Sequence, residues 1–408
     1  MRSITIGLMF FAMTMSAATA AADEFALQLR SIRDINADTL KPAYDVREQS
    51  WSAEKTAVIV CDVWDLHHCL NAVRRLEEFA PRLDAVLKEA RRRGATIIHS
   101  PSDCMAAYET HPARLRAMAV PKADPLPRDI AHWCSQIPLE KQAVYPIDQS
   151  DGGEDDDPTE HAAWVAKLTA MGRKPGTPWL MQSPLITIDG ERDYISDKGD
   201  EVWSILKARG VEHVILTGVH TNMCVLGRPF GLRQMVRNGM PVVLMRDMTD
   251  CMYNPKRWPY VDHFTGNDLV IAHVEQFVCP TITSDQVLGG RPFQSKFDAR
   301  PGEFPIAPRP QSPSDVDTFA KQWTTIELPG RWNSATRGAV SNHEGVAWHR
   351  CVVRTPSKWI RNDGLQLVLP AGTPRAEAWF NGHALTAATA DGGTTFRIER
   401  DWIERDDA

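Results

Sequence analysis

The fold is decided by residues 214–224, which read VILTGVHTNMC. The run begins with three apolar residues, so a strand here would have apolar side chains on both faces, as a strand buried in a parallel sheet requires. Gly218 then opens a tight polar turn, and Cys224 stands where the next helix would begin. This order predicts a thiol at the C-terminal end of a buried strand, which is where open α/β sheets bind ligands.

Strands alternate with amphipathic helices from about residue 56 to residue 280. Residues 57–61, AVIVC, predict a second buried strand, and residues 81–93 carry apolar side chains at helical spacing. Another strand is expected at residues 240–245. The alternation predicts a mostly parallel sheet with helices on both faces. Asp62 directly follows its strand and should share one crevice with the turn before Cys224.

The whole-chain composition excludes some classes of partner. With a formal net charge of −6 and a pI near 6.1, the 408 residues predict neither a nucleic-acid groove nor a basic membrane face. Residues 1–22 have a basic start, a short apolar core and small residues before Asp23. This pattern predicts a cleaved signal peptide and a secreted or periplasmic protein. The eight cysteines show no disulfide framework, and homo-oligomerisation is left open.

Residues 23–297 are predicted to form one α/β domain with an insertion at about residues 119–182. The insertion lacks clear periodicity and would act as a lid beside the crevice. Its centre, residues 148–157, reads DQSDGGEDDD. That spacing does not match a helix-loop-helix calcium loop, so we interpret it as a solvated loop and predict no metal there.

A proline-rich linker is predicted at residues 298–315, and the pattern changes after it. Residues 316–408 contain short alternating runs separated by turns, with a strong hairpin signal at Asn381-Gly382. This segment is therefore expected to be an all-β second domain.

The residue types at the crevice point to nucleophilic chemistry. A thiol at a helix N-terminus has a lowered pKa, and the free N–H groups there can receive an oxyanion. Asp62, desolvated at the end of its strand, should have a raised pKa, which suits a group that takes and returns a proton. The alternatives are that Cys224 is a small buried hydrophobe and that Asp62 is a helix cap or structural acceptor.

Residues 58–62, VIVCD, and 218–225, GVHTNMCV, resemble the isochorismatase-like cysteine hydrolases, which include nicotinamidases and other amidases. The likeness covers about residues 55–280. It implies a Rossmann-like three-layer α/β/α fold and a thioester intermediate. It also implies a cis peptide between Val219 and His220, with oxyanion donors near Met223. Because the cysteine is present, the chain resembles the amide-cleaving branch.

The third catalytic residue of that family is a lysine, and the corresponding stretch here, residues 185–194, reads LITIDGERDY. Alignment of helix ends puts Glu191 or Arg192 near the lysine's place. Arginine would supply a cation but cannot shuttle protons as lysine does. Glutamate would instead form a carboxylate pair with Asp62.

The resemblance also bears on the pocket and on cofactors. Trp64, His68 and Asp103 are expected to shape the substrate pocket. Nicotinamidases hold a metal with an Asp and two His after the second strand, but Met105 stands where the first histidine would be, and His111 is only a loose match for the second. No cofactor is required, and a transition metal is left open.

Beyond the linker, residues 328–332 (LPGRW), 345–350 (GVAWHR) and 378–382 (AWFNG) resemble the jelly-roll sugar-binding domain of family 2 glycoside hydrolases. The resemblance implies a galactose-binding-like β-sandwich that could contact carbohydrate through its aromatic side chains. The segment is short for such a sandwich, so a truncated module is expected.

Two functions follow. The first is an exported hydrolase that cleaves an amide C–N bond of a small molecule, with Asp62 and Cys224 as its working pair. The second is a catalytically inactive relative that binds carbohydrate or a partner. The missing lysine favours the second, and the intact pair favours the first.

Overall fold

The two buried runs lie side by side in the computed structural model, at the centre of an eight-stranded sheet. The structure describes residues 23–35, 42–259, 261–298, 300, 365–369, 377–390 and 393–403. The strands of this sheet are β1 (Glu24–Ile35), β2 (Pro42–Ser52), β3 (Thr56–Cys61), β4 (Thr96–Ser100), β5 (Tyr194–Ile195), β6 (His213–Val219), β7 (Val242–Asp250) and β8 (Thr281–Ile282). They are ordered β2-β1-β8-β7-β6-β3-β4-β5.

The sheet is mostly parallel, as predicted. Strands β5, β4, β3, β6, β7 and β8 pair in parallel, and β3 is buried along its whole length. The hairpin β1–β2 adds an antiparallel edge through β8, which the sequence analysis did not foresee. Because parallel strands end on the same side, Asp62 after β3 and the turn after β6 meet at one edge.

Helices cover both faces of the sheet. They are α1 (Leu70–Arg92), α2 (Pro112–Ala119), α3 (Pro158–Ala170), α4 (Gly199–Ala208), α5 (Leu232–Arg237), α6 (His263–Phe277) and α7 (Asp285–Leu288). On one face Ile59 packs in a cluster with Ile205 of α4, and on the other Val60 packs in a cluster with Leu87 of α1. Burying each such side chain contributes about 1.5–3 kcal/mol. The three-layer α/β/α prediction is confirmed.

Helix α1 begins well before the predicted start at residue 81, and Pro81 lies inside it. Its N-terminus is capped partly from far along the chain. The Asp156 carboxylate accepts hydrogen bonds from the N–H groups of Leu70 (2.8 Å) and Asn71 (2.7 Å). These bonds satisfy N–H donors that the start of a helix leaves free, and no local sequence pattern predicts them.

The insertion is more ordered than its sequence suggested. It contains α3, which begins at Pro158 with Asp157 as its N-cap. The Asp157 side chain accepts from the N–H groups of Thr159 and Glu160. An Asp-Pro pair at a helix start is a local signal, so α3 could have been predicted.

The described part of the C-terminal segment is β-rich. Its strands are β9 (Leu365–Leu369), β10 (Trp379–Phe380), β11 (His383–Ala384), β12 (Ala387–Ala390) and β13 (Gly393–Ile398). The hairpin predicted at Asn381-Gly382 joins β10 to β11, and both turn residues have positive φ (46° and 81°). The sandwich itself stays a prediction.

Several predicted segments lie outside the described residues. They are the signal segment 1–22, nearly all of the linker 298–315, and the motifs at 328–332 and 345–350. In the part of the chain that the structure describes, no helix combines the length and the apolar character needed to cross a membrane. All seven cysteines of that part are free thiols.

Candidate active site

Asp62 lies at the end of β3 with its side chain fully buried. Its φ of 49° falls in the left-handed region, which Asp tolerates better than most residues. One carboxylate oxygen accepts from the Ser102 N–H at 2.7 Å, and the other accepts from Arg228 Nε at 3.1 Å. Burial raises the pKa of Asp62, and these two donors only partly offset it. A buried carboxylate with a raised pKa is suited to proton transfer.

The turn before Cys224 depends on a close approach between two strands. Gly218 has a φ of 105°, and a Cβ built on it would lie 2.0 Å from the Cys61 carbonyl oxygen, so only glycine fits. The Val219–His220 peptide that follows is cis. A π-helical turn, Thr221–Val225, then carries Cys224.

Cys224 is 9% exposed and lies close enough to Asp62 for the carboxylate to act on its thiol. Burial, and then the Asp62 carboxylate, raise the pKa of the thiol. The expectation of a lowered pKa at a helix N-terminus was therefore wrong. A single π turn supplies little dipole, whereas burial in the sheet crevice disfavours the thiolate. At rest the Cys224 thiol is therefore neutral beside Asp62.

Arg228 is the member of this site that the sequence analysis missed. It follows Cys224 by one helical turn, with its N–H donating to the Cys224 carbonyl at 3.0 Å. The guanidinium donates to Asp62, lies 3.6 Å from an Asp103 oxygen and stands over the Trp133 ring at 5.8 Å. The spacing of four from Cys224 was a usable signal, since such residues share a helix face.

The structure does not bring Glu191 or Arg192 to this site. Both side chains are exposed, and Arg192 Nε donates to Asp189 at 2.7 Å. They precede β5, whereas the crevice lies beyond the C-terminal ends of the strands. Lys198, which follows β5, pairs with Glu201 at 3.4 Å.

Four ring side chains, those of Trp64, His67, His68 and Trp179, form an aromatic wall beside His220 of the turn. Trp64 is stacked on Trp179 with ring centroids 4.3 Å apart, and the His67 ring lies 4.7 Å from His220. Burial lowers the pKa of His220 to about 3, so its imidazole is neutral. His68 stands 4.0 Å from His67, on the side that faces the insertion. Trp64 of this wall belongs to the same apolar cluster as Cys224.

Met223 lies on the side of the turn that borders an open cleft. Its N–H donates to the His220 carbonyl at 3.0 Å, so that donor is engaged within the turn. Its side chain lines an open cleft of about 430 Å³ together with Asn222, Trp133 and Tyr145. Arg233 and Glu140 also line this cleft, and the Arg233 guanidinium donates to Glu140 at 2.7 Å. The cleft is large enough for a small molecule.

The residues at the family's metal position do not fit a metal. Asp103 is exposed and faces Arg228, Met105 offers only a thioether, and His111 Nδ1 accepts from the Ala113 N–H at 3.2 Å to cap α2. Among the described side chains, neither Asp103 nor His111 belongs to a group of three close ligands. No reaction step is derived from a metal there.

Comparisons with known proteins add the following. No protein-family model and no curated protein matches the chain. A cysteine hydrolase from Pseudomonas syringae pv. phaseolicola is similar at a TM-score of 0.34 and 15% identity, covering 58% of this chain and 92% of that one. An isochorismatase family protein from Burkholderia thailandensis gives 0.26 and 15%, covering 48% and 79%. An isochorismatase-like hydrolase from Alkaliphilus metalliredigens gives 0.29 and 19%, covering 58% and 96%. At these scores the likenesses carry no argument about activity, which depends on the residues themselves.

Proposed function

We propose that the protein is an exported cysteine hydrolase of the isochorismatase-like type that cleaves an amide C–N bond of a small molecule. The observation that carries the proposal is the buried pair of Asp62 and Cys224, set at the shared edge of β3 and β6 and close enough for the carboxylate to act on the thiol. A purely structural cysteine has no need of a buried carboxylate with a raised pKa beside it.

The first half of the reaction joins the substrate to the enzyme. Asp62 takes the thiol proton as the Cys224 sulfur bonds to the carbonyl carbon, so a free thiolate need not accumulate. Backbone N–H groups of the turn at Cys224 would stabilise the oxyanion; the Met223 N–H is already engaged with His220. Asp62 then gives its proton to the departing nitrogen, leaving a thioester and a free amine.

The second half releases the acid. Asp62 takes a proton from water as the water oxygen attacks the thioester carbon. The proton then returns to the Cys224 sulfur as the C–S bond breaks. The sum is one amide and one water converted into one carboxylic acid and one amine.

Arg228 would take the place of the family's lysine in a narrower role. Its guanidinium fixes the orientation of the Asp62 carboxylate and favours its charged form. Arginine stays protonated at all relevant pH values, so it cannot relay the proton. Both proton transfers therefore fall to Asp62.

A screen of linear and cyclic amides against the mature chain tests the proposal. Turnover should vanish in Cys224→Ala and persist in Cys134→Ala, a matched control because Cys134 is also a buried free thiol. Rapid quenching followed by intact-mass measurement should detect the acyl adduct on Cys224. Absence of both turnover and adduct across the library would instead favour the binding-module function.

Export is part of the proposal and has its own test. Expression with the native N-terminus in a Gram-negative host should give a mature protein that begins after the small residues at 18–22. N-terminal sequencing of the periplasmic fraction checks this. Recovery of the uncleaved chain in the cytoplasm would contradict it.

A further inference from the structure

A second group of ionisable side chains lies where the insertion reaches the loop before α1. His161 Nδ1 is 3.2 Å from an Asp156 oxygen and 3.6 Å from Glu154 Oε1. On the other side of Glu154, His68 Nε2 lies 3.7 Å from Oε2. Glu154, Asp156 and His161 thus form one close group of possible ligand atoms, and His68, from a segment distant in sequence, approaches the group at Glu154.

The ligand atoms of Glu154, Asp156 and His161 all lie within 4.8 Å of one another, a spacing that suits metal ligands. Zinc binds imidazole nitrogen and carboxylate oxygen at about 2.0–2.2 Å, which puts neighbouring ligands of a tetrahedron roughly 3.3–3.6 Å apart. The two contacts to Glu154 are too long for hydrogen bonds. Within the described chain, Glu154 Oε1 is buried without a hydrogen-bond partner. A buried carboxylate oxygen normally finds a donor or an ion.

The acidic and thiol side chains around Glu154 also interact with other parts of the protein. Asp155 is paired with Arg75 at 2.7 Å, which neutralises it and excludes it from the ligand set. Asp156 caps α1, and the same Oδ2 atom is hydrogen bonded to His161 Nδ1 at 3.2 Å. The Cys69 thiol lies 3.4 Å from the other Asp156 oxygen, outside the group formed by Glu154, Asp156 and His161. Imidazole donors favour zinc and its transition-metal neighbours over calcium or magnesium.

We propose that His68, Glu154, Asp156 and His161 form a binding site for one divalent transition metal, with Zn²⁺ the best chemical match. Three of these ligands belong to the insertion and one to the loop after β3. The metal would clamp the insertion against the loop that carries the aromatic wall. The proposal does not depend on hydrolase activity.

The test is metal titration of chelator-treated, tag-free mature protein. Cobalt(II) should bind at one equivalent with the visible absorption of a four-coordinate site, and Zn²⁺ should displace it. His161→Gln and Glu154→Gln should each weaken binding by at least about tenfold. His132→Gln is the matched control, since His132 is an exposed histidine outside the cluster, and its affinity should not change.

The same titration in Cys224→Ala keeps the proposed function separate, since binding there should equal that of the unaltered chain. Circular dichroism must show that the glutamine variants are folded. Lack of stoichiometric binding would overturn the proposal. So would binding that survives both glutamine substitutions, or a preference for calcium over zinc.

Discussion

Asp62 and Asp250 are both buried aspartates at the ends of parallel strands, yet their surroundings differ. Asp62 has one guanidinium and a thiol beside it, and burial raises its pKa. Asp250 accepts from Arg75 Nε and His263 Nε2, both at 2.8 Å. Although burial acts in the opposite direction, Arg75 and His263 together hold the pKa of Asp250 well below the usual range. The strength of the compensating interactions, rather than their number, therefore separates a carboxylate that can move protons from one that holds the fold together.

The surroundings of Asp250 form a closed network. Arg75 also binds Asp155 at 2.7 Å, and His263 Nδ1 stands 3.3 Å from the same carboxylate. The network joins α1, the end of β7, the start of α6 and the insertion. Its charges are mutually compensated, so it can anchor the insertion beside the crevice but offers no reactive group.

The largest expected effect is on catalysis at Asp62. Asp62→Asn keeps an acceptor for the Ser102 N–H but removes the base, so turnover should fall about 10²–10⁴-fold while the fold survives. Steady-state kinetics on the amide found by the screen measures this.

Combining Asp62→Asn with Cys224→Ala sharpens the same prediction. Residues that act as one unit are strongly non-additive, so the double variant should be no slower than Cys224→Ala alone. Losses that multiply would mean that Asp62 and Cys224 act independently.

The next effect is on stability at Asp250. Asp250→Asn leaves Arg75 and His263 without their shared carboxylate, which should cost about 3–5 kcal/mol in the free energy of unfolding by urea. Asp45→Asn is the control, because Asp45 pairs with Arg47 on the surface and should cost less than about 1 kcal/mol. Equal losses for both variants would contradict the anchoring role.

The stabilising effect of Asp250 should also depend on pH. Its folded-state pKa is lowered, so its contribution is fully present above the unfolded value of about 4 and is lost as the pH falls through the folded-state pKa. The stability difference between the native chain and Asp250→Asn should therefore shrink in acid. A difference that stays constant down to the acid-unfolding range would show that packing, not charge, stabilises this position.

A smaller effect is expected in the pH profile of Arg228 variants. Removing the guanidinium leaves the burial of Asp62 less opposed, so its pKa rises further. In Arg228→Gln the acid limb of kcat/KM should move to higher pH by about 1–3 pH units. Arg228→Lys keeps a positive charge and should move it less. A uniformly lower rate with an unmoved limb would assign Arg228 to packing alone.

What the sequence could predict follows from how local each signal is. The strands around Ile59 and Leu216 and the crevice position of Asp62 depend on apolar runs and on the parallel order, and both are readable along the chain. The start of α1 depends on Asp156, whose carboxylate arrives from the insertion. The raised pKa of Cys224 depends on burial by residues that are distant in sequence. Both features are set by tertiary contacts, so local sequence patterns could not predict them.

The smallest expected effect concerns Glu191 and Arg192, where sequence alignment and structure point to different residues for the third position. Glu191→Gln and Arg192→Ala alter exposed side chains ahead of β5, so unfolding free energy should change by no more than about 0.5 kcal/mol and turnover should stay near that of the native chain. Arg228→Gln, measured in the same assay, gives the contrast. Should Arg192→Ala slow turnover as much as Arg228→Gln, the loop before β5 would have to reach the crevice during catalysis. Arg192 and Arg228 would then both supply positive charge beside Asp62.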